Sequence, residues 1–205
     1  ELVVIRSPWD YQQDPAGFLA VLREIDQSRA RLQNDLRTVH WNIHKTYLRD
    51  LRDRGVSIVP TRWLEYLDAK SLAERFAEYN VPRIVVKPVV VANADDTFLL
   101  GAHESPASYA DALATFARRE RMVQPFIESV ASTGENSLFF FGGEYSHSIL
   151  KTPKPRDFRV QEEHGGVICP IQPDQHLLTA ATRVMSVLDS QPLYGRVDLV
   201  RLPDG

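Results

Sequence analysis

Apolar residues recur along this chain with two periods, and the switching between them predicts a mixed helix and strand protein. Leu2–Ile5 is a continuous apolar run and reads as a buried strand. Asp14-Pro15 is an N-cap followed by proline at the first helical position, after which Phe18, Leu19, Leu22 and Ile25 recur at helical spacing. Asn42 is placed to cap a second helix, with Tyr47, Leu48 and Leu51 inward and Gly55 as its stop. Val56–Val59 predicts a short strand, Ser71–Tyr79 a helix ending at Asn80, and Arg83–Lys87 and Thr97–Leu100 two further strands. Ser105-Pro106 opens a helix reaching to about Arg119. From Met122 strands dominate: Met122–Ile127, then Ser137–Phe141 and Glu144–Leu150 joined by Gly142-Gly143, a strong hairpin signal. Gln175–Leu188 predicts the last helix and Tyr194–Leu202 the last strand, giving two α+β lobes joined near Gln124–Ile127.

Composition narrows the function classes. The 205 residues suffice for one large domain or two small lobes. A net charge of −3, from 24 basic and 27 acidic residues, disfavours non-specific nucleic-acid binding. Cys169 is the single cysteine and cannot form an internal disulfide, which fits a reducing cytoplasm. No apolar run approaches membrane-spanning length and no basic signal-peptide region opens the chain. The start in a strand-like segment and the end on a turn signal lead us to expect flanking sequence on both sides.

The most informative local feature is Ile84–Pro88, which places Lys87 at the end of an otherwise apolar strand. Burying an unpaired ammonium costs several kcal/mol, so a phosphate partner is the obvious remedy; a head group snorkelling to solvent is the plainer option. Lys45 falls in the first turn of the helix expected after Asn42, where a cation is unfavourable by ~0.3–1 kcal/mol and an anion would help; a solvated surface lysine is the plainer option. The loop Val89–Asp96 after Lys87 can fold over phosphates with its backbone N–H groups; it has no glycine, although Asn93 tolerates left-handed geometry. Gln124, Pro125, Phe126 and Ile127 form a strand interrupted by proline, suited either to an edge or to a hinge whose backbone meets an adenine. Glu135, after Thr133-Gly134, can accept from ribose hydroxyls or be an ordinary turn acid.

Farther on, Lys151, Lys154, Arg156 and Arg159 are held apart by prolines, either as an anion-facing rim or as a solvated loop. Gly165-Gly166 permits close backbone approach. Arg196-Val197-Asp198 alternates, so Arg196 and Asp198 share one strand face, either as a surface pair or with Asp198 as a Mg²⁺ ligand. His40 and His44 are four apart but lack the zincin glutamate, and neither a Walker A sequence nor G-x-G-x-x-G occurs. Asp157-Phe158-Arg159 is not Asp-Phe-Gly and no His-Arg-Asp loop follows Lys87, which excludes a protein kinase.

Taken in order, Asn42-Ile43-His44-Lys45, Val59-Pro60-Thr61, Val85-Val86-Lys87-Pro88, Val123–Ile127, Gly134-Glu135, Lys151, Phe158-Arg159-Val160-Gln161, Gly165-Gly166 and Arg196-Val197-Asp198 resemble an ATP-grasp domain. The likeness is to bacterial glutathione synthetase and related carboxylate–amine ligases, and it runs through nearly the whole chain. It implies a two-lobe α+β fold with the nucleotide between the lobes. Residues 1–37 would end a truncated N-terminal domain and linker helix, 38–123 form the small lobe, and 124–205 form a C-terminally truncated large lobe.

By resemblance, Lys45 and Lys87 would hold phosphates, Gln124–Ile127 adenine and Glu135 ribose. Arg159 and Lys151 would face the transferred phosphoryl group, and Asp198 would bind Mg²⁺. A second metal-binding acid and an asparagine are expected beyond residue 205. The implied reaction is ATP-dependent amide or peptide bond formation through an acyl phosphate, from a small-molecule carboxylate and an amine. A cytoplasmic location goes with it, and assembly into a homo-oligomer stays open. Glutathione synthesis is one option and a ligase of secondary metabolism, such as the cycloserine-forming type, another. The glycine-free loop also leaves open a silent nucleotide-binding sensor or scaffold.

Overall fold

Helical spacing at the start of the chain is realised as α1 (Pro15–Asp26), which follows β1 (Leu2–Val4) and buries Leu22. Asp14 caps it, its carboxylate accepting the Gly17 N–H at 2.9 Å. The computed structural model describes all residues except Ser7, Trp9, Arg156 and Pro203–Gly205, so Arg156, one of the candidate basic residues, lies outside the described residues. In chain order there follow β2 (Arg31–Gln33), α2 (Leu36–Asn42), α3 (Tyr47–Asp53), β3 (Arg62–Leu64), α4 (Ala69–Tyr79), β4 (Arg83–Pro88), β5 (Phe98–Gly101), α5 (Ala110–Thr115), β6 (Arg121–Pro125), α6 (Ser129–Ser132), β7 (Glu135–Phe141), β8 (Glu144–Thr152), β9 (Val167–Ile171), α7 (Gln175–Ser186) and β10 (Tyr194–Leu199).

Several expected boundaries move. Asn42 does not cap a helix; it is the last residue of α2, which Asp35 caps by accepting the Thr38 N–H at 2.7 Å. Lys45 therefore lies in the connection between α2 and α3, not in a first helical turn. Val56–Val59 carries no strand; the pairing forms later, where Arg62–Leu64 aligns against Val123–Arg121. The helix expected from Pro106 divides into a 3-10 turn at Pro106–Tyr109 and the short α5. β1 is not buried: it pairs only with β2, in parallel, and Leu2 is 63% exposed.

The chain packs as two units, Ser57–Phe126 and a second made of Glu1–Val56 with Ile127–Gly205. Residues 38–56, expected in the small lobe, group with the later part of the chain. Unit Ser57–Phe126 is a four-stranded antiparallel sheet in the order β3-β6-β4-β5. Its core joins Leu72, Ile84, Val86, Leu100, Ala112, Phe116 and Val123. Ile84, Val86 and Pro88 are buried while Arg83, Val85 and Lys87 are half-exposed, so β4 is buried on one face only and Lys87 lies on the other.

The second unit holds a four-stranded antiparallel sheet in the order β10-β7-β8-β9. Leu138, Phe140 and Val197 on one face pack against Ala181 and Met185 of α7. Burial of a core side chain is worth about 1.5–3 kcal/mol, which fixes which face of each strand α7 covers. A one-residue slip would bring the charged face under the helix. At the corner before β7, Gly134 has φ +91° and an added Cβ would lie 2.4 Å from the Lys151 carbonyl oxygen. Only glycine fits there without displacing backbone.

Candidate active site

The face of β10-β7-β8 away from α7 carries a cluster of charged side chains. Side chains alternate along a strand, so Glu135, Ser137, Phe139 and Phe141 share this face. Register sets them in rows: Glu135 faces Lys151, Ser137 faces Asp198, and Phe139 faces both Arg196 and His147. Lys151 Nζ donates to Glu135 Oε1 at 3.0 Å and approaches Asp198 Oδ1 at 3.5 Å. Asp198 also accepts from Ser137 Oγ at 2.5 Å and receives the Arg196 fork, Nε to Oδ1 at 2.8 Å and Nη2 to Oδ2 at 2.9 Å.

Each charge is displaced by this company. Burial, with the Asp198 charge beside it, pushes Glu135 above the usual carboxylate range, and Lys151 opposes that. Burial also opposes ionisation of Asp198, yet the Arg196 and Lys151 charges outweigh it and hold that carboxyl below its ordinary value. Two carboxylates on one face thus differ in acidity because Asp198 takes the Arg196 fork and the Ser137 hydroxyl directly, whereas Glu135 is bonded to Lys151. Burial lowers the Lys45 ammonium, against the pull of Asp198 and Glu135. The Tyr47 phenol is pushed up to about 12 by burial and by Asp198, so it remains a donor at neutral pH. Lys45, Lys151, Glu135 and Asp198 are accordingly one electrostatic group within a single unit.

Arg159 lies in the loop after β8 and is committed to Asp157: Nε donates to Oδ1 at 3.1 Å and Nη2 to Oδ2 at 2.9 Å. The Asp157 carboxylate also accepts the backbone N–H groups of Phe158 and Arg159, and these bonds hold it far below its ordinary value. Lys154 lies 3.7 Å from Asp157. Gly166 abuts the Val160 carbonyl, where an added Cβ would meet oxygen at 2.2 Å.

In unit Ser57–Phe126, β3 pairs only with Arg121–Val123, so Gln124 and Pro125 run past its end along that edge of β6. Their other edge is taken by β4, and the Phe126 N–H donates to the Arg83 carbonyl at 3.0 Å. Gln124 is thus part of an interior strand whose last residues lose one neighbour. Gln124 Nε2 donates to Thr61 Oγ1 at 2.8 Å, and the Arg83 guanidinium lies 4.5 Å from the Phe126 ring centre. Lys87 faces Met122 in register on the open face of β4. Ile127 belongs to the other unit, where its carbonyl accepts the Val130 N–H. In the loop after β4, Asn93, Ala94 and Asp96 all take left-handed φ, at 53°, 59° and 49°. The loop thus reaches the turns that glycine would allow without having one, and Asp96 is paired with Arg119.

Two partners escape a residue-by-residue reading of the sequence, Ser137 and Asp157, whereas the Arg196–Asp198 pair read from the strand alternation is present. Parity could have found them, since Ser137 is two residues from Glu135 and Asp157 two from Arg159. Among the described residues no three His, Cys, Asp or Glu side chains form a metal-binding group. No described helix is long and apolar enough to cross a membrane.

Residues 1–34 match the model of the D-cycloserine synthetase DcsG N-terminal domain. The whole chain is 31% identical over 225 aligned positions to the cycloserine biosynthesis protein DcsG of Streptomyces lavendulae, covering 72% of it. The crystal structure of D-cycloserine synthetase DcsG superposes with a TM-score of 0.82 at 30% identity, covering 100% of this chain and 72% of that one. The ATP-grasp ligase PsnB, complexed with a minimal precursor, superposes over the whole chain and 67% of its own with a TM-score of 0.65 at 21% identity, a likeness of fold.

Proposed function

The chain belongs to the DcsG family of ATP-grasp ligases, and on that premise we propose that it uses ATP and Mg²⁺ to join a small-molecule carboxylate to an amine. The observation that carries the reading is the group Glu135, Lys151, Asp198 and Arg196 on one sheet face. Family membership favours this ligase over a silent nucleotide-binding module.

Asp198 offers hard oxygen donors, the ligand type Mg²⁺ prefers, and with few protein carboxylates at hand the remaining positions suit phosphate and water oxygens. Asp198 would hold Mg²⁺ there, and the ion would supply positive charge against the transferred phosphoryl group. Lys45 and Lys87 hold the phosphates, Gln124–Ile127 present backbone to adenine, and Glu135 takes the ribose hydroxyls. A substrate carboxylate oxygen attacks the γ-phosphorus; the bridging P–O bond breaks and ADP leaves with its electron pair. The amine nitrogen then attacks the acyl carbon, the C–O bond to phosphate breaks, phosphate departs and the nitrogen gives up a proton. Lys151 and Arg159 stabilise the charge that builds on the phosphoryl oxygens, an electrostatic role. For Arg159 this means exchanging Asp157 for phosphate.

The test is thermal. Mg-ADP at 100 times its dissociation constant stabilises the fold by ~2.7 kcal/mol. ADP release should then require a carboxylate together with an amine. A melting curve unmoved by millimolar Mg-ADP, in the full-length protein, would overturn the assignment.

A further inference from the structure

The charged rows of the β10-β7-β8 face do not end in solvent; they pass into an aromatic row. Phe139 is directly opposite Arg196 on one side and His147 on the other. The His147 and Phe139 rings stack with centroids 4.5 Å apart and planes 6° apart, and Phe141, 53% exposed, lies 6.4 Å from His147. A register shift between Phe139 and Phe140 leaves Ser146 as the extra residue of β8, and Ser146 Oγ meets His147 Nδ1 at 3.0 Å. Bulges of this kind re-aim a side chain beside a site. Here the bulge sets an imidazole flat on a phenyl ring.

Direction along the sheet says what this row meets. Successive same-face rows are about 6.5–7 Å apart along a strand. The Glu135 row is the ribose and phosphate side in the proposed function, on which this inference rests, and the Asp198 row follows it. Phosphoryl transfer keeps attacking and leaving oxygens in line on opposite sides of phosphorus. The acid that attacks must therefore lie beyond Asp198, away from Glu135, over the row of Arg196, Phe139 and His147. We propose that Phe139, His147 and Phe141 form the wall that selects the carboxylate substrate, favouring an acid with an aromatic or other flat side group over an aliphatic one. The stacked Phe139 and His147 rings turn their edges over the sheet and Phe141 adds an exposed ring, an arrangement that rewards edge-to-face contact with a flat aromatic group.

The experiment uses the full-length protein with Mg-ATP and hydroxylamine, which captures the acyl phosphate as a hydroxamate. Phenylalanine and leucine, each as both enantiomers, serve as the acids. The expected result is a kcat/KM for phenylalanine about tenfold above leucine, expressed mainly in KM. Phe139→Leu and His147→Leu should each bring the ratio close to one, while the Mg-ADP melting shift stays as in the wild type. Leucine equalling phenylalanine, a ratio untouched by both substitutions, or no turnover of either acid by a protein that still binds Mg-ADP would overturn the aromatic wall. Loss of the Mg-ADP shift in the wild type would instead overturn the ligase reading beneath it.

Discussion

Lys151 stands opposite Glu135 on the neighbouring strand and serves two carboxylates at once, at 3.0 Å from Glu135 and 3.5 Å from Asp198. Its side chain is only 11% exposed, so little water can replace it. Lys151→Met should cost roughly 3 kcal/mol in urea unfolding, because it strands buried negative charge. Adding Glu135→Gln to that variant should recover part of the loss. A double-mutant cycle with no coupling would show that the two residues do not share their charge.

Asp198→Asn keeps size and removes the charge that Arg196 and Lys151 answer. Mg²⁺-dependent ADP formation should fall by more than about tenfold, the effect of losing over 1.4 kcal/mol of transition-state stabilisation. Arg196 is half-exposed and can turn to water, so stability should change by no more than ~1 kcal/mol. Steady-state rates and a melting curve on the one variant separate a metal-binding carboxylate from a surface pair.

Lys87→Met should change folding little, since methionine keeps the aliphatic stem at a half-exposed position of β4. A charge-assisted bond to phosphate is worth roughly 1.5–3 kcal/mol, or about 10- to 150-fold in ADP affinity. Calorimetric titration matching the wild type would remove Lys87 from the nucleotide site.

Gly134→Ala should destabilise by about 2 kcal/mol or more, combining a left-handed φ with a contact to the Lys151 carbonyl. Because that carbonyl is on the strand residue that carries the shared ammonium, nucleotide binding should weaken together with stability. Gly142→Ala is the control: its Cβ meets nothing within 4 Å, so only the backbone term remains.

Asp157 makes a prediction about acid. Its bonds to Arg159 and to two backbone N–H groups hold the folded-state carboxyl below its ordinary value. The stabilisation is therefore fully present above the unfolded pKa, near 4, and is lost as pH falls through the range below it. Asp157→Asn should flatten the fall in melting temperature between about pH 4 and pH 2. An unchanged slope would mean that other carboxylates govern acid unfolding.

Patterns with a strict period were legible in the sequence. The Gly142-Gly143 hairpin, the α1 start at Asp14-Pro15 and the left-handed stop of α4 at Asn80 all appear in the structure. Local signals that compete were not. Asn42 is a good cap by type, but Asp35 starts the helix earlier and better, so Lys45 falls between helices. Val56–Val59 has strand composition and no partner aligned with it, whereas Arg62–Leu64 gains one from β6. At the site, the parity of Arg196 and Asp198 was readable. The cross-strand register that brings Lys151 to both acids was not, because it depends on residues 47 positions apart in the chain.

The unit bearing the charged sheet is discontinuous, drawing on Glu1–Val56 and on Ile127–Gly205, whereas Ser57–Phe126 is one uninterrupted stretch. Chains emerge from the ribosome N-terminus first. The inner stretch can therefore complete its sheet while the first 56 residues still wait for their partners. β1, β2 and α1 already meet one another within the first 56 residues, but bonds such as Asn34 to Tyr194 and Arg54 to Asp189 form only after residues 189–194 have been made. The charged sheet face is thus completed after the inner unit. Any ribosome pause between residues 127 and 205 prolongs the time for which the early segment is exposed to chaperones and proteases.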